Sequence, residues 1–169
     1  MVQIGIAAYG SKPSLELEML ARNFIRTLSK RVKDATLILG GDWGLMGVVV
    51  DEALRQGLNV VLVLPEDREP THKGVVKVKT GLSPNGRSTI LVKSSDLLVV
   101  LGGGAGTIME SLMAYREGKP VIAIVGYGAD SDWFFASIKR YPDRRGLAPY
   151  YIVKKCEEAV DLIVKLLNI

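Results

Sequence analysis

The chain has 169 residues, 48% of them hydrophobic and 24% charged, a size at which one compact core can bury most of the apolar surface. We therefore expect a single domain over residues 1–169. Because Cys156 is the only cysteine and His72 the only histidine, an internal disulfide and a histidine-based zinc site are excluded, and we predict neither a bound metal nor a separate cofactor.

The distribution of charge narrows the range of partners further. The formal net charge is +4, but the Lys and Arg residues are scattered, which argues against a nucleic-acid partner and suits a phosphorylated small molecule. No run approaches the roughly 18 apolar residues that a membrane helix requires, and the chain enters an apolar run at Val2 without a leader segment. We expect a cytoplasmic protein with no membrane partner.

Short β-rich runs alternate with longer helical stretches, which is typical of βαβ units around a mostly parallel sheet. Strands are predicted at 2–7, 36–39, 59–64, 96–101 and 121–125, with a further short strand at 150–153. Helices are predicted at 15–31, 45–56, 87–94, 107–117 and 157–167. The expected fold is α/β, a Rossmann-like three-layer sandwich with a mostly parallel sheet flanked by helices.

Two stretches fit neither a strand nor a long helix. Residues 65–85 are rich in charged and turn residues, and residues 126–149 contain three consecutive aromatic side chains. Both follow predicted strands, and in an open α/β sheet the binding crevice lies beyond the carboxyl ends of the strands. We interpret both as loops or lids that border this crevice, and we expect His72 in the first of them to be solvent-exposed.

The sharpest sequence feature is a glycine-rich turn between the predicted strand at 96–101 and the helix at 107–117. Glycines let backbone N–H groups approach a phosphate closely, and the free N–H groups at a helix start favour an anion. Thr107 adds a hydroxyl, as a helix cap or as a phosphate ligand. Close packing of strand against helix also demands glycine and is the alternative interpretation. The predicted ligand-binding residues of this turn are Gly103, Gly104, Ala105, Gly106 and Thr107.

A second glycine-rich turn follows the predicted strand at 36–39. Two such turns on neighbouring strands favour a shared binding site over coincidence. Neither contains the Gly-Lys-Ser/Thr of a P-loop or matches the dinucleotide fingerprint, so a mononucleotide is favoured over NAD or over ATP with magnesium. The predicted binding residues here are Gly40, Gly41, Asp42 and Gly44.

Three motifs in this order resemble the LOG family, whose characterised members are nucleoside 5'-monophosphate phosphoribohydrolases that release cytokinin bases. Residues 102–110 resemble the family's PGGxGTxxE, and residues 40–47 resemble its GGGxxGLMG with one residue fewer. Arg87 matches a family arginine nine residues before the aspartate of a Ser-Asp pair, which is Asp96 here.

The resemblance implies catalysis by Glu110 and Arg87. Breaking a ribose N-glycosidic bond builds positive charge on the sugar, so a nearby carboxylate stabilises the transition state and activates water. Arg87 would hold the phosphate or ribose, or assist the departing base. The residues alone are also consistent with a different interpretation, in which the Glu110 carboxylate only complements the helix dipole and Arg87 is a solvated surface residue. We interpret Asp42 as a turn residue rather than a catalytic one, and Trp43 as a packing residue rather than a platform for base stacking.

The chain departs from the family pattern at Gly102, where the family has proline, and at Ser88, where a lysine usually follows the arginine. The same features resemble the neighbouring branch of molybdenum cofactor carriers and DprA-related proteins. The leading function is therefore binding of a nucleoside 5'-monophosphate with hydrolysis to base and ribose 5-phosphate. The alternative is a non-catalytic carrier or sensor of a pterin or molybdenum-type cofactor or a nucleotide, and a single-stranded DNA-binding module ranks last.

The resemblance also bears on cofactor chemistry and assembly. Pyridoxal phosphate needs a lysine for its Schiff base, and neither glycine turn contains one, so the lysine decarboxylase label that the family also carries is not supported. Related proteins form dimers through helices near the active site. This implies a homodimer or higher homo-oligomer, for which residues 45–54 and 108–113 offer apolar faces.

Overall fold

The structure, a computed structural model, describes residues 2–169 and forms a seven-stranded sheet with helices on both faces. The strands are β1 (Val2–Ala7), β2 (Ala35–Leu39), β3 (Asn59–Leu64), β4 (Val76–Lys79), β5 (Leu97–Val100), β6 (Val121–Ile124) and β7 (Tyr150–Val153). The helices are α1 (Leu15–Arg31), α2 (Gly44–Arg55), α3 (Pro84–Lys93), α4 (Ala105–Arg116), α5 (Asp132–Ser137) and α6 (Cys156–Leu167). Among residues 2–169, no helix is long and apolar enough to cross a bilayer.

All neighbouring strands pair in parallel, which confirms the predicted α/β Rossmann-like three-layer fold. Side chains of a strand alternate between the two faces of the sheet, and here both faces are apolar. In β2, Leu37 and Leu39 join the core formed with α1, α2 and α6, whereas Ile38 joins the core formed with α3, α4 and α5. The sheet is therefore the middle layer of three.

The strand order β4-β3-β2-β1-β5-β6-β7 places a change of direction between β1 and β5. From β1 the chain builds outward through β2, β3 and β4, and from β5 it builds outward on the other side. In open α/β sheets ligands bind at such a switch point, beyond the carboxyl ends of the strands. Both glycine-rich turns lie at this edge, since one follows β2 and the other follows β5. The prediction that these turns follow neighbouring strands is wrong, because β1 lies between β2 and β5.

Two elements lie in stretches that the sequence assigns to loops. β4 lies within residues 65–85 and α5 within residues 126–149, so the interpretation of these stretches as wholly irregular is wrong. β4 has the sequence Val-Lys-Val-Lys and is exposed throughout, so it has no buried apolar run. It is recognised as a strand only by its pairing with β3. α5 has six residues, too few to show helical periodicity.

Four helices begin earlier in the chain than predicted: α6 by one residue, at Cys156, and α2, α3 and α4 at the edge that carries the glycine-rich turns. α2 and α4 start inside the glycine turns, at Gly44 and Ala105. α3 starts at Pro84 because Ser83 is its N-cap and accepts a hydrogen bond from the N–H of Gly86 over 3.2 Å. The extra residues place Arg87 inside the helix rather than at its first position.

A network of charged side chains joins α1 to α2. Glu52 on α2 is 1% exposed and accepts hydrogen bonds from Arg26 over 2.8 Å and from Arg22 over 3.3 Å. Arg22 also pairs with Glu18 and Asp51. The hydrogen bond from Arg26 lowers the pKa of Glu52 to about 2. This network fixes the position of α2, which begins in the first glycine turn.

Replacing Glu52 by Ala is expected to destabilise the fold by about 2–3 kcal/mol, because two arginines lose a buried acceptor. Urea unfolding curves measure the loss. The pKa of Glu52 is lowered from 4.5 to about 2, so its contribution is complete above the higher value and disappears as the pH falls to the lower one. Asp161→Ala, which removes an exposed pair with Arg31, is the control and should cost less than about 1 kcal/mol. Equal losses from both variants would contradict the structural role of Glu52.

Candidate functional site

A cleft of about 410 Å³ opens at the carboxyl edge of the sheet. Tyr9 follows β1, Trp43 follows β2 and Glu66 follows β3, and all three line the cleft. Thr107 and Glu110 line it from the first turns of α4. The volume lies within the range of about 300–1,000 Å³ that small-molecule sites occupy, so the cleft has room for a mononucleotide-sized ligand.

Arg87 and Glu110 form a buried ion pair in the wall of this cleft. Arg87 Nη1 donates to Glu110 Oε1 over 2.9 Å, and each side chain is 10% exposed. The hydroxyl of Ser88 donates to the same oxygen over 2.8 Å, whereas Glu110 Oε2 accepts no hydrogen bond from residues 2–169. Burial raises the pKa of Glu110, although Arg87 and Ser88 act in the opposite direction. The result is a fixed carboxyl group with a raised proton affinity, as a general base requires.

Gly40 allows Arg87 to reach this position. A Cβ atom on Gly40 would overlap the guanidinium group of Arg87, so the close approach of the two residues requires glycine. The first glycine turn is thereby tied to the Arg87–Glu110 pair. Arg87 Nε is a buried donor with no acceptor among residues 2–169. Buried donors are normally paired, so this N–H group is available to a ligand or a water molecule.

The second glycine turn presents the start of α4 to the cleft. Gly104 is the N-cap of α4 and has no side chain to accept the first N–H groups of the helix, which are left free for a ligand. A Cβ atom on Gly103 would overlap Thr107, so Gly103 makes room for that side chain. Gly102 has a φ of +115°, which proline cannot adopt because its ring holds φ near about −65°. The leading proline of the LOG family therefore does not fit this turn.

Asp42 contacts the segment that follows β3 and does not line the cleft. Its Oδ2 accepts hydrogen bonds from the N–H groups of Thr71 over 2.6 Å and His72 over 2.8 Å, and from both side chains. Burial would raise the pKa of Asp42, but these hydrogen bonds outweigh it and lower the pKa. Asp42 thus anchors the segment after β3 at Thr71 and His72. His72, which the sequence predicts to be solvent-exposed, is partly exposed, with 25% of its side-chain surface accessible.

The structure brings part of the predicted set together around the cleft. The lining residues among them are Arg87, Glu110, Gly104, Gly106 and Thr107. The predicted residues that do not line it are Gly40, Gly41, Asp42, Gly44, Gly103 and Ala105. Several of these serve close packing instead: Gly44 has a φ of +58°, and a Cβ there would meet the backbone of Ser11 at 2.3 to 2.7 Å.

Sequence reasoning did not single out several residues of the cleft, among them Tyr9, Glu66 and Arg68. Tyr9 and Glu66 each follow a strand at the binding edge, so the predicted topology was the available signal for both. Arg68 belongs to no motif, so the sequence carries no signal for its role. In the structure its Cζ lies 4.5 Å from the ring centroid of Trp43, which is a cation–π distance.

The two stretches predicted to border the crevice differ in what they contribute. Residues 65–85 do line the cleft, through Pro65, Glu66, Arg68 and Pro84. No residue of 126–149 lines it, although the N–H of Asp130 donates to the Tyr9 hydroxyl over 2.8 Å. The second stretch therefore supports the cleft wall rather than forming it.

Comparison with protein families and curated proteins agrees with the motifs. The model of the SLOG cluster4 family matches residues 1–145. An uncharacterized protein of Archaeoglobus fulgidus is 36% identical over 93 residues, which is 54% of this chain and 61% of that protein. A cytokinin riboside 5'-monophosphate phosphoribohydrolase of Arabidopsis thaliana is 36% identical over 76 residues, 43% of this chain and 36% of the relative. The chain thus spans less than two-thirds of the length of these curated relatives.

Solved structures match over nearly the whole chain. The structural genomics target TM1055 superposes with a TM-score of 0.89 at 32% identity, over 98% of this chain and 99% of that one. The molybdenum cofactor carrier protein of Chlamydomonas reinhardtii gives 0.77 at 25% identity, over 99% of both chains. DprA of Streptococcus pneumoniae shares the fold, with 0.70 at 16% identity over 95% of this chain and 61% of that one. The resemblance to the LOG family and its neighbouring branch is confirmed.

Replacing Gly40 by Ala is expected to push the Arg87 guanidinium away from Glu110 and to destabilise the fold by about 2 kcal/mol or more, since a buried pair is broken. Gly106→Ala is the matched control, because nothing lies within 4 Å of its added Cβ and alanine favours a helix. Thermal and urea unfolding measure both variants. If the Gly40 variant is as stable as the control, the packing of Gly40 against Arg87 is not required.

Replacing Asp42 by Asn is expected to accelerate hydrogen exchange at the amides of Thr71 and His72 about tenfold or more, because both lose a charged acceptor. The pKa of Asp42 is lowered below 3.8, so protection should be complete above that pH and should decline as the pH falls further. Glu69→Gln is the control, because this exposed carboxylate pairs with Lys77 in the same region. Exchange that is unchanged in the Asp42 variant would contradict the anchoring role.

Proposed function

Since this chain belongs to the SLOG cluster4 family, we propose that its cleft binds a nucleoside 5'-monophosphate or a related phosphorylated nucleotide and hydrolyses the N-glycosidic bond. The observation that carries this proposal is the placement of Glu110. The carboxyl group is buried and held by Arg87 and Ser88 at one oxygen, and it lines the cleft one helical turn from the free N-terminus of α4.

The start of α4 suits the phosphate. The N-terminal N–H groups of a helix and its dipole favour an anion, and the Gly104 N-cap offers no competing side chain. Thr107 lines the same part of the cleft and carries a hydroxyl group that can bind a phosphate oxygen. A phosphate bound here would place the attached ribose close to Glu110.

Glu110 then acts on the anomeric carbon. As the bond from that carbon to the base nitrogen lengthens, positive charge develops on the sugar, and the carboxylate stabilises it. A water molecule attacks the same carbon and gives a proton to Glu110, while the base leaves with the bonding electrons and takes up one proton. The net change is the addition of one water, and the products are the free base and ribose 5-phosphate.

Arg87 and Ser88 position this carboxylate. Their hydrogen bonds to Oε1 hold the group in one orientation and leave Oε2 for the substrate or water. The positive charge of Arg87 also opposes the effect of burial on the pKa of Glu110, which favours the ionised carboxylate. The Arabidopsis relative, a cytokinin riboside 5'-monophosphate phosphoribohydrolase, supports this reaction class.

Incubation with a panel of nucleoside 5'-monophosphates, with free base followed by chromatography, tests the proposal. Glu110→Gln keeps the shape of the side chain but removes its charge, and it should lower the rate about 100-fold or more. Because the pKa of Glu110 is raised above 4.5, the wild-type rate should fall as the pH drops through that raised value, where the carboxylate becomes protonated.

Glu117→Gln is the matched control, because Glu117 lies at the other end of α4 and pairs with Lys93 at the surface. This variant should retain the wild-type rate. Equal rates for the Glu110 and Glu117 variants would overturn the role of Glu110, and the absence of base release from every nucleotide would overturn hydrolysis.

A second candidate function is a carrier of a phosphorylated pterin or nucleotide. The match to the Chlamydomonas molybdenum cofactor carrier protein covers 99% of both chains, whereas the Arabidopsis relative matches 43% of this chain. Ser88 stands where the LOG family usually has lysine. Thermal stabilisation by a ligand without release of base would favour the carrier over the hydrolase.

A further inference from the structure

Trp43 occupies a position that local helix stability does not explain. It is the N-cap of α2, where Ser, Thr, Asp or Asn would accept a hydrogen bond from the first turn, and its indole accepts none. Gly10 and Gly41 lie so close to the ring that a Cβ atom on either would collide with it or press against it. The start of α2 therefore lacks a side-chain cap, and positions 10 and 41 lack Cβ atoms. The space that results holds the indole of Trp43 in the wall of the cleft.

Arg68 covers this indole without a carboxylate partner. Its Cζ lies 4.5 Å from the ring centroid of Trp43, and its side chain forms no ion pair with residues 2–169. Arg68 is exposed, lines the same cleft, and lies in the segment that Asp42 anchors through Thr71. An exposed guanidinium that stacks on one tryptophan can move outward without breaking a salt bridge.

The two residues lie on the side of the cleft away from α4. Trp43 follows β2, Arg68 follows β3 and α4 follows β5, and β1 separates β2 from β5. With strands about 4.8 Å apart, the ends of β2 and β5 are about 10 Å apart, which leaves room for a ribose between them. A ligand whose phosphate lies at α4 therefore carries its ring toward Trp43.

We propose that Trp43 and Arg68 form the subsite for the planar ring of the ligand, which stacks on the indole and is covered by the guanidinium. This inference rests on the proposed binding of a phosphorylated nucleotide in the cleft. Insertion of a ring requires the guanidinium to move from 4.5 Å to about 7 Å from the indole, since each stacked contact spans about 3.5 Å. Stacking on tryptophan, together with a cation over the ring, stabilises any aromatic base.

The fluorescence of Trp43 provides a direct test. The chain has two tryptophans, and Trp133 is 69% exposed on α5, so Trp133→Phe leaves Trp43 as the single indole. In this background, AMP and ribose 5-phosphate are added separately in a stopped-flow instrument, so that emission is recorded before turnover. AMP should quench Trp43, whereas ribose 5-phosphate, which has no ring to stack, should bind without quenching it.

Substitutions separate stacking from packing. Trp43→Leu and Arg68→Ala should each weaken binding of AMP, the former by about tenfold or more, and should leave the affinity for ribose 5-phosphate unchanged. Trp43→Phe retains an aromatic face and should recover most of the affinity for AMP. Because Trp43→Leu can also loosen the core, the quenching data, the Phe variant and the Arg68 variant test the proposal independently of it.

The outcomes distinguish this inference from the proposed function. AMP binding without quenching, or an equal loss of AMP and ribose 5-phosphate affinity in Trp43→Leu, would overturn the ring subsite and leave the proposed function intact. A loss of ribose 5-phosphate affinity in Arg68→Ala would show that Arg68 holds the phosphate, which overturns its place in the subsite. Failure of both ligands to bind would overturn the proposed function itself.

Discussion

The burial of the Arg87–Glu110 ion pair is the constraint on which the candidate site depends. Removing two charges from water costs several kcal/mol for each ion, and only close geometry with further hydrogen bonds offsets that cost. Here Nη1 to Oε1 spans 2.9 Å and the Ser88 hydroxyl supplies the further hydrogen bond. Glycine at position 40 follows from the same constraint, because any side chain there would displace the guanidinium.

The surrounding elements place this ion pair and the start of α4 at the same edge of the sheet. Parallel pairing aligns the carboxyl ends of β1, β2, β3 and β5, and the change of direction between β1 and β5 opens the crevice there. The Glu52 network then fixes α2 on one side of the sheet. Asp42 does the same for the segment after β3, so the wall with Trp43 and Arg68 depends on a carboxylate outside the cleft.

Much of the fold was predictable because buried parallel strands appear as apolar runs between helical patterns. β4 was not, since an exposed edge strand carries no burial signal and becomes visible only through its pairing with β3. At the site, the motifs identified Glu110 and Arg87, whose positions in the cleft depend on the helix geometry of α3 and α4. They did not reveal that Gly40 packs against Arg87 or that Asp42 contacts Thr71, because both are contacts between segments far apart in sequence.

The exposed edge strand β4 has a consequence for the behaviour of the chain in concentrated solution. An edge strand presents unpaired N–H and C=O groups to which a strand of another molecule can add, and charged side chains are a common protection against this. Lys77 and Lys79 supply that charge, and Glu69 from the segment beside the cleft lies against both. The segment that forms part of the cleft wall is therefore also paired with the charges that protect this edge, so substitution of Glu69 changes the charge balance of the exposed strand.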